Sequence, residues 1–201
     1  MGFLDAFYQN KPAESGSDKI YNRAYRLFNS PEEQNQLLPE NIRNALLQGR
    51  NCDEIGGSGE FGKVPTNPIP VNGSFGEWSY LSKLRLADTG GRLFFHKVRT
   101  IGDVDVFVVV SGSGKHAALL YFDPGHPRPS GYCPEGYILE REAVFPRGIT
   151  TTYPEFPKGL YGRIKKEAKQ RLHVDIAEKE AKQIAVAEVR KALRQLKGYE
   201  S

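Results

Sequence analysis

Cysteine is scarce in this chain: Cys52 and Cys133 stand 81 positions apart and in no CxxC pattern. A disulfide-built scaffold is therefore excluded. The pair itself stays open, as two ordinary thiols or one bridge. No apolar run approaches the ~20 residues that a bilayer-crossing helix needs, so no membrane span is expected. The four histidines, His96, His116, His126 and His173, show no i,i+4 pairing, and no zinc-ligand spacing emerges. Neither a metal nor a cofactor is expected. The opening Met-Gly-Phe-Leu-Asp-Ala lacks the basic segment and apolar core of a secretory signal. Gly2 suggests myristoylation, but Ala6 stands where that motif wants Ser or Thr. The expected location is the cytoplasm, with a secretion route that reads no N-terminal signal left open.

What is present is a globular composition: 39% hydrophobic residues, 26% charged, 10 Tyr and 11 Phe in 201 residues. That excludes disorder over the whole length and allows one domain, with or without an appendage. The charge is uneven. Lys158 to Ser201 holds 12 basic and 6 acidic residues, a net +6, which leaves −2 for the rest of a +4 chain. A basic segment attracts polyanions or acidic partners, although a solvated helix face gives the same pattern.

Gly and Pro divide the chain. Residues 1–17 read as a flexible N-terminal segment, 18–157 as an α+β core domain, and 158–201 as a basic helical extension. Ser17 or Asp18 is placed to cap a helix carrying Ile20, Ala24, Leu27 and Phe28. Ser30-Pro31-Glu32-Glu33 is a second helix start, with a capping residue, proline at the first position and acids in the first turn. Pro39 interrupts it, and a third helix with Ile42, Ala45, Leu46 and Leu47 stops at Gly49. The Gly- and Pro-dense stretch 50–74 forbids regular structure. Within it, Asn67 to Val71 is expected to be extended, with Asn72-Gly73 making a turn.

The middle predicts an antiparallel meander of about four to five strands. Trp78, Tyr80, Leu84 and Leu86 alternate with Glu77, Ser79, Lys83 and Arg85. Leu93 to Val98 comes next, and then Val104 to Val110, which is almost continuously apolar and β-branched and reads as the central strand. Ser111-Gly112-Ser113-Gly114 makes a hairpin loop to Ala117–Phe122, and Tyr137–Leu139 adds a short edge. From Lys158 to Lys197 apolar residues recur at helical spacing. The phase shifts near His173-Val174-Asp175, where a bend or break is expected. Unbroken, this long helix would reach roughly 60 Å at 1.5 Å per residue.

Two glycine motifs are set aside on context. Gly57-Ser58-Gly59-Glu60-Phe61-Gly62-Lys63-Val64 fits the kinase glycine-loop pattern. No strand precedes it, Pro65 and Pro68 break the strand that should come after it, and the lysine, catalytic and metal-binding motifs are missing. Gly112-Ser113-Gly114-Lys115 resembles the tail of a P-loop, but Val109 and His116 stand where Gly and Ser or Thr are required.

Thr66-Asn67-Pro68-Ile69-Pro70-Val71-Asn72-Gly73, Gly76-Glu77, Tyr80 to Leu84, Phe95-His96, His126-Pro127-Arg128, Ser130 and Pro134-Glu135-Gly136-Tyr137 together resemble a group of small bacterial proteins with no assigned activity. The likeness spans about residues 59 to 140. It implies a bacterial origin and a shared β core, and it implies no reaction. In that group the loop after Arg128 is more basic, whereas Pro129 and Gly131 intervene here.

These features admit three functional readings. The leading one is a non-enzymatic bacterial or prophage interaction protein that acts through protein–protein contacts, either with another protein or by self-association through the C-terminal helix. The second is nucleic-acid binding by that helix through Lys165, Lys166, Lys169 and Arg171, with Arg190, Lys191, Arg194 and Lys197 recurring later. The third is a small enzyme with Glu77, His96, Asp123, His126 and Arg128 around one pocket. Asn67, Asn72 and Arg128 are further binding candidates, because they lie in the two Pro-stiffened loops.

Overall fold

The computed structural model describes residues 16–49, 52–53, 56–143, 156–157, 166, 169–170 and 185–199. Helix α1 is Gly16–Asn29, α2 is Pro31–Gln36 and α3 is Glu40–Leu47. Helix α1 begins at Gly16, so residues 16 and 17 belong to it and the expected cap at Ser17 or Asp18 is displaced. Residues 1–15 lie outside the described residues. At α2 the predicted cap is realised: Ser30 is extended, its Oγ accepts from the Glu33 amide at 3.1 Å, and Pro31 takes the first helical position.

The sheet holds four strands in the order β1-β5-β4-β3: β1 Ile69–Pro70, β3 Leu93–Ile101, β4 Val104–Ser111 and β5 Ala117–Asp123. Strands β3, β4 and β5 form the antiparallel meander. Strand β1 pairs with β5 in parallel, Ile69 opposite Phe122 and Pro70 opposite Asp123. Proline has no amide to give a ladder, and an edge position tolerates that. The expected first strand is different. Gly73–Lys83 is helix α4, and only Leu84–Leu86 is a strand, β2. It pairs with β6, Tyr137–Leu139, in a separate two-stranded sheet, so Tyr137–Leu139 is not an edge of the main one.

The alternation misleads because α4 is buried nearly all round. Gly76, Glu77, Ser79, Tyr80, Leu81 and Ser82 are all buried. The polar ones among them are not a solvent face: Ser79 Oγ donates to the Phe28 carbonyl (2.6 Å) and Ser82 Oγ to the Ser79 carbonyl (2.8 Å). Buried hydroxyls satisfied by backbone imitate a strand's polar side.

Helix α4 packs on one face of the sheet in a core of Ile69, Val71, Tyr80, Leu81, Phe95, Phe107, Val109, Leu120 and Phe122. The opposite face presents Val106, Val108, Val110 and Leu119, covered by Phe156, Val189 and Leu193. Strand β4 is thus sandwiched, which explains its apolar run from Val106 to Val110.

The C-terminal helix is short. Helix α5 spans the ten residues Val186–Gln195. Ala185 has ψ 76°, outside the helical range, and its amide donates to the Gly112 carbonyl at 2.8 Å. A continuous helix from 158 to 197 is therefore ruled out; most of residues 158–184 lie outside the described residues. Gly114 explains how α5 sits so close to the β4–β5 hairpin. Its φ is +72°, and a Cβ there would fall 2.5 Å from the Glu188 carbonyl carbon. The P-loop lookalike is thus a turn against which a helix docks.

Candidate functional site

The two Pro-stiffened loops meet. The Val71 amide donates to Asp123 O (2.8 Å), His126 N to Val71 O (3.1 Å), Gly73 N to Pro124 O (3.0 Å) and Ser130 N to Pro70 O (2.9 Å). The 67–73 segment is therefore laced along the 123–130 loop. Asn72 ties both to α2: its Nδ2 donates to Gln34 Oε1 and Asn35 Oδ1, each at 2.9 Å, while Asn35 Nδ2 donates to Pro127 O at 2.8 Å. Asn72 is buried, and a Cβ at Gly76 would sit 2.3 Å from its Oδ1, so glycine is required there. Asn67 is buried too and donates to the Gly59 carbonyl. Both asparagines, expected to bind a ligand, hold loops together. The kinase-like loop closes on itself in the same way, with the Ser58, Gly62 and Lys63 amides spent on the Thr66, Asn67 and Glu60 carbonyls.

The five pocket candidates are not gathered at one point. Asp123 Oδ2 and His126 Nε2 lie 3.1 Å apart, and Asp123 Oδ1 also accepts from the Gly125 amide. Arg128 turns to a partner that the sequence does not suggest, Asp53, with Nη2 to Oδ2 at 2.5 Å and Nη1 to Oδ1 at 3.3 Å. The Arg128 bond and the Gly131 amide hold the Asp53 carboxyl below its usual range. His96 stacks on Phe156, ring centroids 5.0 Å apart and 7° from parallel, on the α5 side of the sheet. Glu77 belongs to α4 on the other side. It faces Asp105, which accepts from Lys97 Nζ and Thr100 Oγ1, both at 2.5 Å. Burial, reinforced by Asp105, pushes Glu77 up to about 9. A substrate touching both Glu77 and His96 would have to pass through the sheet, which removes the geometric basis of that pocket.

The open feature beside Arg128 is a cleft of about 270 Å³. It is lined by Ser79, Tyr80 and Lys83 from the C-terminal half of α4. The 128–131 loop also lines it, as do Leu139 at the end of β6 and Glu140 and Arg141 just past it. Glu140 is held by the buried Arg85 at 2.7 Å, and its amide donates to the Lys83 carbonyl. Lys83 and Arg141 escape sequence reasoning, since the alternation puts Lys83 in a strand and Arg141 carries no pattern.

The other reactive side chains serve the fold. Cys52 and Cys133 are both reduced thiols, so no bridge joins them. Cys133 Sγ donates to the Tyr137 carbonyl, and burial raises its pKa. His116 Nε2 and the Tyr137 hydroxyl are 2.7 Å apart, with burial lowering the imidazole pKa. Of the basic candidates, Lys166 and Lys169 are exposed, whereas Lys165 and Arg171 lie outside the described residues. No group of His, Cys, Asp or Glu suited to a metal occurs among the described residues, and no helix among them is long and apolar enough to cross a membrane. Compared with protein-family models, curated proteins and solved structures, the chain matches none.

Proposed function

We propose that this chain is a non-enzymatic interaction protein, of bacterial or prophage origin, that works by contacting another protein. The observation that carries the reading is the apolar surface of α3 and its approach. Leu37, Ile42 and Leu47 are 57%, 46% and 60% exposed within eleven residues, and α3 buries only Leu46. Single exposed apolar side chains are ordinary; three within eleven residues, on α3 and the turn leading into it, offer apolar surface that a partner would cover. Glu32, Glu33 and Glu40 flank it, with Arg43 the one cation between Pro31 and Leu47. A partner with an apolar groove and a basic rim fits this surface.

The C-terminal helix is a poorer candidate for self-association. Val189 and Leu193 of α5 are already buried against the sheet, so that stripe is spent within the chain. The test is a photo-reactive residue at position 42, introduced in bacterial cells. A discrete adduct with a different protein is expected, and L37S/L47S should abolish it without changing the thermal midpoint. No adduct, or an adduct only between copies of this chain, would overturn the reading.

One observation favours nucleic acid as a second reading. With its apolar side docked, α5 holds Arg190, Lys191 and Arg194 outward, with Lys197 just past its end, all exposed, and Glu188 is the single acid in that helix. Phosphate contacts predict affinity falling steeply with salt. Absence of a gel shift on mixed DNA and RNA at low ionic strength would end this second reading.

A further inference from the structure

The cleft beside α4 has the charge of an anion site. Three of its lining side chains are cations, Lys83, Arg128 and Arg141, against one anion, Glu140. Of the anions around it, Glu140 pairs with Arg85 and Asp53 with Arg128, while Glu142 accepts from the Tyr25 hydroxyl. Including Arg85, Asp53 and Glu142, which lies near Lys83, the neighbourhood still carries one net positive charge.

The neutral polar groups of the lining are committed to the fold. Ser79 Oγ donates to the Phe28 carbonyl, the Tyr80 hydroxyl to the Tyr132 carbonyl, and Asn29 Nδ2 to the Tyr25 and Ala143 carbonyls. The Ser130 and Gly131 amides are spent on Pro70 O and Asp53 Oδ1. What remains to meet a ligand is Lys83 and Arg141, together with the exposed part of Arg128, whose Nη1 and Nη2 already donate to Asp53 and the Pro129 carbonyl. The volume, about 270 Å³, lies just under the ~300–1,000 Å³ typical of ligand clefts, so the occupant is small.

We propose that this cleft binds a small, multiply charged oxyanion through Lys83, Arg128 and Arg141, which line it from three separate segments of the chain. Arg128 is prepared for the task. Asp53 holds its guanidinium in a two-point pair, which fixes its plane while leaving the side chain 44% exposed. Lys83 lies where burial destabilises its charge, a cost that an incoming anion would offset. The inference is independent of the α3 reading, since the cleft uses none of Leu37, Ile42 or Leu47.

The test is a titration of ¹⁵N-labelled protein at low ionic strength, with inorganic phosphate in one arm and succinate in the other. Saturable shifts confined to residues 79–83, 128–131 and 139–141 are expected. Whichever arm saturates at lower concentration tells a phosphate site from a carboxylate site. R141Q, at an exposed position, and K83Q should each weaken the better ligand about tenfold or more, while K63Q should not. Thermal midpoints within a degree or two of the parent would show that both variants stay folded. Shifts in neither arm, shifts spread over the basic face of α5, or R141Q binding as tightly as the parent would overturn the proposal.

Discussion

Glu77 is sealed between α4 and the strands that carry Lys97 and Asp105, and at neutral pH it is stable there only as the protonated acid. Its pKa rises from 4.5 to about 9 on folding, first because burial penalises the charge and then because Asp105 repels it. The folded state then keeps a proton that the unfolded state has lost, so stability falls as pH rises between those two values. The slope is bounded by about 1.4 kcal/mol per pH unit. Denaturant unfolding at pH 7.0 and 8.5 should show the parent losing stability across that window. E77Q, which cannot ionise, should lose markedly less. Equal losses in both would mean that Glu77 is already charged in the fold. Asp105 runs the other way. Although burial alone would raise it, Glu77, Lys97 and Thr100 together hold it low. Its contribution is thus present above the ordinary Asp range and is lost in acid. The thiols make a simpler case: with Cys52 buried and Cys133 raised, native protein at pH 7.5 should react with a thiol reagent far more slowly than unfolded protein, which should titrate two equivalents.

At the level of elements, α5 is the piece whose attachment is easiest to break. Leu193→Ala should cost about 2–5 kcal/mol, read as a fall in the denaturation midpoint. Gly114→Ala should cost at least ~1–3 kcal/mol, because alanine is strained at φ +72° and its methyl would strike the α5 backbone. Faster hydrogen exchange at the Val189 amide would locate the damage. The loops respond to a different change: Asn72→Ala leaves the Gln34 and Asn35 oxygens short of a donor, for about 1–3 kcal/mol. These elements are not equally legible in the sequence. The capped start of α2 and the valine strand β4 announce themselves, because Ser-Pro-Glu-Glu and a β-branched run each have one good structural solution. Helix α4 does not, since its period is hidden when Ser79 and Glu77 are buried against groups far away in sequence and Ser82 turns back onto the Ser79 carbonyl. The site is less readable still. Nothing local links Asp53 to Arg128, and the cleft depends on Lys83 and Arg141 arriving from separate elements.

For the molecule as a whole, one sheet separates two regions of different character. The α4 side carries the loops, the cleft and the buried acid; the other side is closed by α5 and Phe156. The core on that second side is assembled from strands near residues 106–119 and a helix some seventy positions later. A chain cut short before Val186 would bare a row of valines, Val106, Val108 and Val110, together with Leu119. Such a fragment would be sticky: it should bind an apolar dye and come out of solution at concentrations where the intact protein stays clear. The basic helix, whatever else it meets, thus also serves as the chain's own shield against aggregation.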